Sequence, residues 1–183
     1  MESGRIRYTI LGLSDGLFLG IGLSLGVSFL QNYNLTLTSI LLVGITGALS
    51  NMFSTYNAEN YATGEQMREY KRFLFVKDYN PGKLAGSRHA KSVRYAFLNF
   101  VFTLLGSAIV LAPYALFYFT GYGHLQEASV ISLVVSLAVL GLIGSRYSSE
   151  TIGKIKAGLR IVGIGIAIAA ASSAVGLALS VLV

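Results

Sequence analysis

Five long apolar runs dominate the chain. A helix that crosses a bilayer needs about 20 mostly apolar residues, and residues 8–30, 35–56, 95–120, 128–145 and 161–183 meet or approach that length. Strands do not explain them, because the runs are long and lack alternation, whereas a β-barrel needs many segments of about 10 residues. Composition agrees. Of 183 residues only 12% are charged and 54% are hydrophobic, against about 25% charged in a soluble domain. The absence of cysteine removes disulfide scaffolds, thiolate metal sites and cysteine nucleophiles. The expected fold is an all-α integral membrane protein with five transmembrane helices in one membrane domain spanning 1–183. Linkers 31–34 and 121–127 are short, so their flanking helices form antiparallel pairs. The one long polar stretch gives a helical and basic segment, 57–94, between spans two and three.

The cations sort by side. Arg5 and Arg7 precede span one; Arg68, Lys71, Arg72, Lys77, Lys83, Arg88, Lys91 and Arg94 lie between spans two and three; Arg146, Lys154, Lys156 and Arg160 lie between four and five. These are all 14 Lys and Arg residues. The positive-inside rule therefore places the N-terminus in the cytoplasm and the C-terminus outside, in a multi-pass protein of the cell membrane. The net charge of +6 thus reads as a topology signal, and no nucleic-acid partner is expected. The basic run 83–94 suits anionic lipid at the inner leaflet. Span one is too long for a cleavable signal, contains Asp15 and lacks a small-residue cleavage site before Gln31. Tyr8, Tyr33, Tyr56, Tyr61, Tyr95, Tyr118, Tyr122 and Tyr147 gather near span ends, as interfacial aromatics do.

Asp15 is the one acidic residue well inside a span. It lies about seven residues in, roughly 10 Å below the boundary at about 1.5 Å per residue. An aspartate near a helix centre costs about 2.5–3.5 kcal/mol on insertion scales, so it needs a partner, a water-filled cavity or a bound ion. Either a structural hydrogen bond or an ion or proton site satisfies this. Around it Gly12, Gly16, Gly20, Ser24 and Ser28 recur every four residues, and Gly22 and Gly26 add a second row. Such spacing lets two helix backbones touch, within one subunit or as the seam of a twofold dimer. In a dimer the two Asp15 carboxylates would approach one axis, where both ionise cheaply only around a cation.

Span two offers a companion face. Asn51, Thr55 and Glu59 are four apart and share one side of a helix, and Met52 lies within about 20° of Glu59 on the helical wheel. Oxygen donors with a thioether suit a transition-metal ion better than calcium or magnesium, although Met52 also reads as packing and Glu59 as an interfacial residue near a cation. Further on, Glu65, Met67 and Glu69 extend the candidate metal-collecting surface, while Glu65 with Arg68 and Glu69 with Arg72 equally form i,i+3 pairs on a solvated helix. The run Tyr79-Asn80-Pro81-Gly82 predicts a break after Val76. His89 and His124 fall on opposite sides of the membrane, no phosphate loop, nucleophile elbow or HExxH occurs, and no histidine lies at span depth to activate a serine. An enzyme is not expected, nor a resident cofactor.

Ile10-Leu11-Gly12-Leu13-Ser14-Asp15-Gly16-Leu17 resembles the first-span signature of the vacuolar iron transporter family. Gly47-Ala48-Leu49-Ser50-Asn51-Met52, followed by Tyr56, resembles the second-span motif, where Gly-Ala-Ile-Ser-Met precedes a tyrosine. Leu111-Ala112-Pro113-Tyr114 and Gly158-Leu159-Arg160 are similar, more loosely, to later family segments. The resemblance implies a five-helix protomer in a homodimer, with a path at the subunit interface for Fe(II), often also Mn(II), leaving the cytosol in exchange for protons. It makes Asp15 the gate and proton-coupled ligand. The family's second-span methionine falls on Asn51, with Met52 one place later, and a family glutamate eight residues earlier falls on Val43. Plant members carry a Glu- and Met-rich cytoplasmic domain. This chain has Glu59, Glu65, Met67, Glu69 and Asp78 beside eight basic residues there, as in a short prokaryotic relative. Two other readings remain: a non-transporting membrane interaction module on the same scaffold, and a carrier of another divalent cation.

Overall fold

The computed structural model describes residues 2–74, 82–121, 124–146 and 151–182, with side chains described at 4–62, 64–65, 89–121, 124–146 and 151–181. Among these residues the regular structure is five helices and no strand: α1 (Glu2–Ser28), α2 (Tyr33–Leu74), α3 (Gly82–Thr120), α4 (Leu125–Ser145) and α5 (Thr151–Leu182). Each contains a stretch long and apolar enough to cross a membrane, namely Gly4–Ser28, Tyr33–Ala62, His89–Thr120, Leu125–Ser145 and Thr151–Val181. Leu42, Phe53, Leu116, Phe119, Val130, Leu142 and Val175 stay exposed, far more apolar surface than a soluble monomer tolerates. The protein is a multi-pass membrane protein.

The helices outrun the apolar spans at their basic ends. α5 starts at Thr151 rather than 161, and so includes Lys154, Lys156 and Arg160; α3 starts at Gly82 rather than 95. Lys, Arg and Gln are good helix formers, and their stems reach along the helix while the charge stays in water. Hydropathy therefore marks where the bilayer begins, and the helix continues past it. Asp15 lies at mid-helix whichever boundary is used. It is 11 residues past Gly4, where the apolar stretch begins, about 16 Å along the axis and near the middle of α1. The expected break at 79–82 falls largely outside the described residues; α2 ends at Leu74 and α3 begins at Gly82.

Short links hold adjacent helices antiparallel. After α1, Gln31 adopts a left-handed φ of 52°, and Asn32 Oδ1 accepts from the Leu35 N–H at 3.1 Å, capping α2. Gly121, at φ 66°, ends α3, the position where glycine avoids a Cβ clash. Alternation brings Arg5, Arg7, Lys91, Arg94, Arg146, Lys154, Lys156 and Arg160 to one end of the bundle, called here the basic end.

α1 is the hub. It packs against all four other helices, which contact one another in the order α2–α3, α3–α4 and α4–α5. The other four helices thus wrap around α1 and leave an opening between α2 and α5. Leu17 and Ile21 of α1, Val110 of α3, Leu140 and Ile143 of α4 and Ala169 of α5 form the main core. Several polar groups inside the bundle find partners on neighbouring helices, as hydrocarbon favours. Tyr114 donates to Ser129 Oγ at 3.0 Å, and Ser132 donates to Val110 O at 2.8 Å, beside the turn that Pro113 interrupts.

The glycine row of span one lies inside the protomer, which corrects the dimer-seam reading of Gly12, Gly16, Gly20 and Ser24. A methyl built on Gly12 would lie 2.6 Å from Asn99 O, and one on Gly20 would lie 2.6 Å from a Val110 methyl. On Gly16 it would strike Thr103 O, and on Gly106 of α3 it would come within 2.5 Å of Leu13 O. Ser24 is buried on the same row, bonded to Ile21 O at 3.1 Å. α1 and α3 therefore touch backbone to backbone, and the seam is spent before a second copy arrives. The second row faces α5: a methyl on Gly22 would meet Ser172 Oγ at 3.3 Å.

Candidate functional site

Because α2 and α5 stay apart, a groove of about 890 Å³ opens over α1 between them. It runs from Asp15 in the middle of the bundle to Leu30 and Leu179 at the end opposite the basic one. Among the described residues its walls are apolar apart from Asp15, Asn51 and Ser172, and Asp15 is the one ionisable side chain lining it. A carboxylate at the floor of an otherwise apolar groove is the arrangement that insertion energetics make expensive, and so the first place to look for function.

Asn51 meets it from α2. Its Nδ2 donates to Asp15 Oδ2 at 3.1 Å and to Thr103 Oγ1 of α3 at 3.2 Å. The network continues toward the basic end. Thr103 donates to Asn99 O at 2.8 Å. Asn99 Nδ2 donates to Thr55 Oγ1 at 2.6 Å and to Asn51 O at 3.4 Å. Asn51 and Thr55 thus point from one face of α2 into α1 and α3, as their four-residue spacing requires. Between the two residues that resembled the family's methionine position, Asn51 faces the groove; Met52 is half-buried and does not line it.

Glu59 does not join Asp15, which corrects the shared ligand set. It lies eight residues beyond Asn51, about 12 Å along the helix, and accepts a short hydrogen bond from the Tyr8 hydroxyl of α1. Tyr8 is buried, its ring 5.1 Å from that of Tyr95, with the Arg7 guanidinium 5.7 Å from the Tyr8 ring and Lys91 Nζ 5.5 Å from the Tyr95 ring. These contacts tie α1, α2 and α3 together at the basic end. Glu65 is exposed and accepts from Tyr61 at 3.5 Å. Met67 and Glu69 lie outside the described side chains. Among the described residues no three His, Cys, Asp or Glu side chains gather into a metal-holding group. His89, stacked edge-on against Tyr56 at 5.7 Å, and His124, preceding α4, belong to opposite ends of the bundle.

Substituting Tyr8→Phe leaves half-buried Glu59 without its donor. The expected loss is about 1.5–3 kcal/mol, the range for hydrogen bonds to charged groups, read as a lower unfolding midpoint in detergent. Divalent-metal affinity at Asp15 is expected to change by less than about twofold, because well-separated sites act independently.

Thr103 and Asn99 escaped the sequence reading. A signal existed: Asn99, Thr103 and Ser107 form a four-residue polar stripe within an apolar span, the same period as the glycines it packs against.

Comparison with known proteins extends this picture. The sequence profile of the VIT family matches residues 56–177, about two-thirds of the chain, from the end of span two through most of α5. The stretches around Asp15 and Asn51 lie before that segment, although they carried the more specific resemblance. An uncharacterised protein of Methanocaldococcus jannaschii is 26% identical over 176 residues, covering 92% of this chain and 86% of the relative.

Proposed function

The chain belongs to the VIT family, and from that premise we propose that it exports Fe(II) or Mn(II) from the cytosol in exchange for protons, along a path between two copies of the chain. The coarse reading, a membrane metal-ion transporter rather than an enzyme, follows from the family. The finer reading rests on one observation: the Asp15 carboxylate, held by Asn51, forms the floor of a groove at mid-bundle.

In a lone protomer that carboxylate would face lipid across the groove, at a cost of about 2.5–3.5 kcal/mol on insertion scales. A second copy across the opening between α2 and α5 covers it. The glycine row is already occupied, so this dimer face is the groove itself. Twofold symmetry would bring the two Asp15 side chains toward one axis, where like charges resist joint ionisation unless a cation sits between them. Metal binds the ionised pair, and protons that replace it neutralise the same oxygens. Exchange is then a property of one site serving two cations in turn.

The donors available are carboxylate and amide oxygens, because Met52 does not line the groove. An oxygen-rich set suits Mn(II) but equally Mg(II) and Ca(II), so the preference for Fe(II) and Mn(II) rests on the family, and Mn(II) serves as the probe. Orientation follows the cations: the basic end lies in the cytosol of a cell-membrane protein, with anionic lipid against it. A competition series across Fe(II), Mn(II), Co(II), Zn(II) and Mg(II) in vesicle uptake tests the substrate. Uptake of Mn(II) and Fe(II) that Mg(II) does not suppress is expected. Preferential transport of Mg(II) would replace this reading with a carrier of another divalent ion.

One observation favours the second reading, a non-transporting interaction module. Val43 lines the groove at the position where the family resemblance implies a glutamate. Val43→Glu adds a carboxylate about 12 Å along α2 from Asn51. Its expected effect is tighter Mn(II) binding together with a lower unfolding midpoint, since the new charge is buried without a built partner. A wild type that neither binds nor moves metal, beside a Val43→Glu variant that binds it, would establish the module reading.

A further inference from the structure

We infer that Thr103 is a positioning residue for the groove site: it fixes which way the Asn51 amide faces, and so which oxygens are offered to a cation. The inference rests on the metal reading above and adds a residue from α3 that does not itself line the groove.

Hydrogen-bond accounting carries it. A threonine hydroxyl has one proton to give, and Thr103 gives it to the Asn99 backbone carbonyl at 2.8 Å. Toward Asn51, 3.2 Å away, it can only accept. Asn51 must therefore present its NH₂ to Thr103, not its carbonyl. The same nitrogen reaches Asp15 Oδ2 at 3.1 Å, so the two amide hydrogens go to Thr103 and Asp15. Asn51 Oδ1 is left as the amide atom turned away from both, and Asp15 Oδ1 as the carboxylate oxygen Asn51 does not hold. One oxygen from each residue is thereby kept available to a metal.

The same accounting holds one layer away. Asn99 directs its NH₂ to Thr55 Oγ1 at 2.6 Å and Asn51 O at 3.4 Å; the flipped amide would set carbonyl against carbonyl. Its Oδ1 has no hydrogen-bond partner and lies against Gly12, where a methyl would be 2.6 Å away. Gly12 therefore gives α3 its close approach to α1 one turn from Thr103. With a valine at 103 the amide has no acceptor on α3 and can rotate, and an Oδ1 turned toward Asp15 would repel the carboxylate it should assist.

The test uses the full-length protein in detergent, with Mn(II) as the probe and loss of the free Mn(II) electron paramagnetic resonance signal as the binding readout. Thr103→Val, which keeps the shape and removes the hydroxyl, is expected to weaken Mn(II) binding about tenfold, within the 10–100-fold range for residues that orient ligands. Thr103→Ser restores the hydroxyl and is expected to bind within about twofold of wild type, whatever either change does to the unfolding midpoint. In vesicles the same loss is expected in KM for Mn(II), with the maximal rate little changed. If Thr103→Val cannot be purified as a folded species, Thr103→Ala read against Thr103→Ser makes the same comparison. Equal binding by wild type, the hydroxyl-free variant and Thr103→Ser overturns the inference and leaves the metal reading standing. A wild type that binds no Mn(II) overturns both.

Discussion

Asp15→Ala is expected to reduce Mn(II) uptake into reconstituted vesicles by about 100-fold or more, since even residues that only orient metal ligands are worth about 10–100-fold in affinity. The physical reason is that, among the described residues, no second ionisable side chain lines the groove to take over. Asp15→Asn, which keeps the shape and removes the charge, should fall as far. The variants should fold at least as well as wild type, because a carboxylate is removed from mid-bundle, where it costs about 2.5–3.5 kcal/mol on insertion scales. The loss would then be chemical rather than structural, and wild-type uptake by folded Asp15→Ala would rule out the proposed mechanism.

Gly16→Leu is expected to have the largest effect on the fold. A methyl on Gly16 would strike Thr103 O, and on the other side of the contact a methyl on Gly106 would lie 2.5 Å from Leu13 O. Neither neighbour is a flexible side-chain end that can swing aside. A leucine at 16 forces α1 and α3 apart by more than a methylene, and overpacking alone costs about 1–3 kcal/mol, occasionally more. It also pulls Thr103 away from Asn51. The expected result is aggregation or failure to accumulate, seen by size-exclusion chromatography in detergent. A glycine seam between subunits would behave differently: Gly16→Leu would give a folded, stable monomer.

These two residues also show what could be read from sequence. The five spans and the sorting of Lys and Arg rest on length and hydropathy, which the bilayer enforces residue by residue, so the all-helical membrane fold was legible. Asp15 stood out because an acid within a span is rare and costly. Asn51, Thr55 and Glu59 were rightly placed on one face of α2, since that needs only the helical period. What that face touches was not legible. Asn51 meets Asp15, whereas Glu59 meets Tyr8 about 12 Å further on, because a shared face says nothing about depth on the neighbouring helix. The four-residue glycine row marks a close helix contact but leaves its partner open between the same subunit and a second copy: period identifies a seam, while the partner depends on which helix carries the matching small residue, here Gly106 of α3. Thr103 and Asn99 were missed because a threonine or asparagine in a span is cheap when another helix satisfies it, and only the assembled bundle reveals the donor and acceptor.

The family match adds a further contrast. It covers residues 56–177, where the polar stripe of α3 and the close α4–α5 contact lie, while the groove's acid and amide come from the first 51 residues of the chain. Membership and mechanism thus draw on different parts of the molecule, and the mechanism needs its own test.

The most direct one is anomalous scattering from Mn(II) in crystals of the full-length protein. The expected result is a peak in the groove within ligand distance of Asp15 and Asn51, shared with the same residues of a second copy across the opening between α2 and α5, and absent from Asp15→Ala. A fully loaded crystal with manganese only at the basic end, or with no peak near Asp15, would contradict the proposed site.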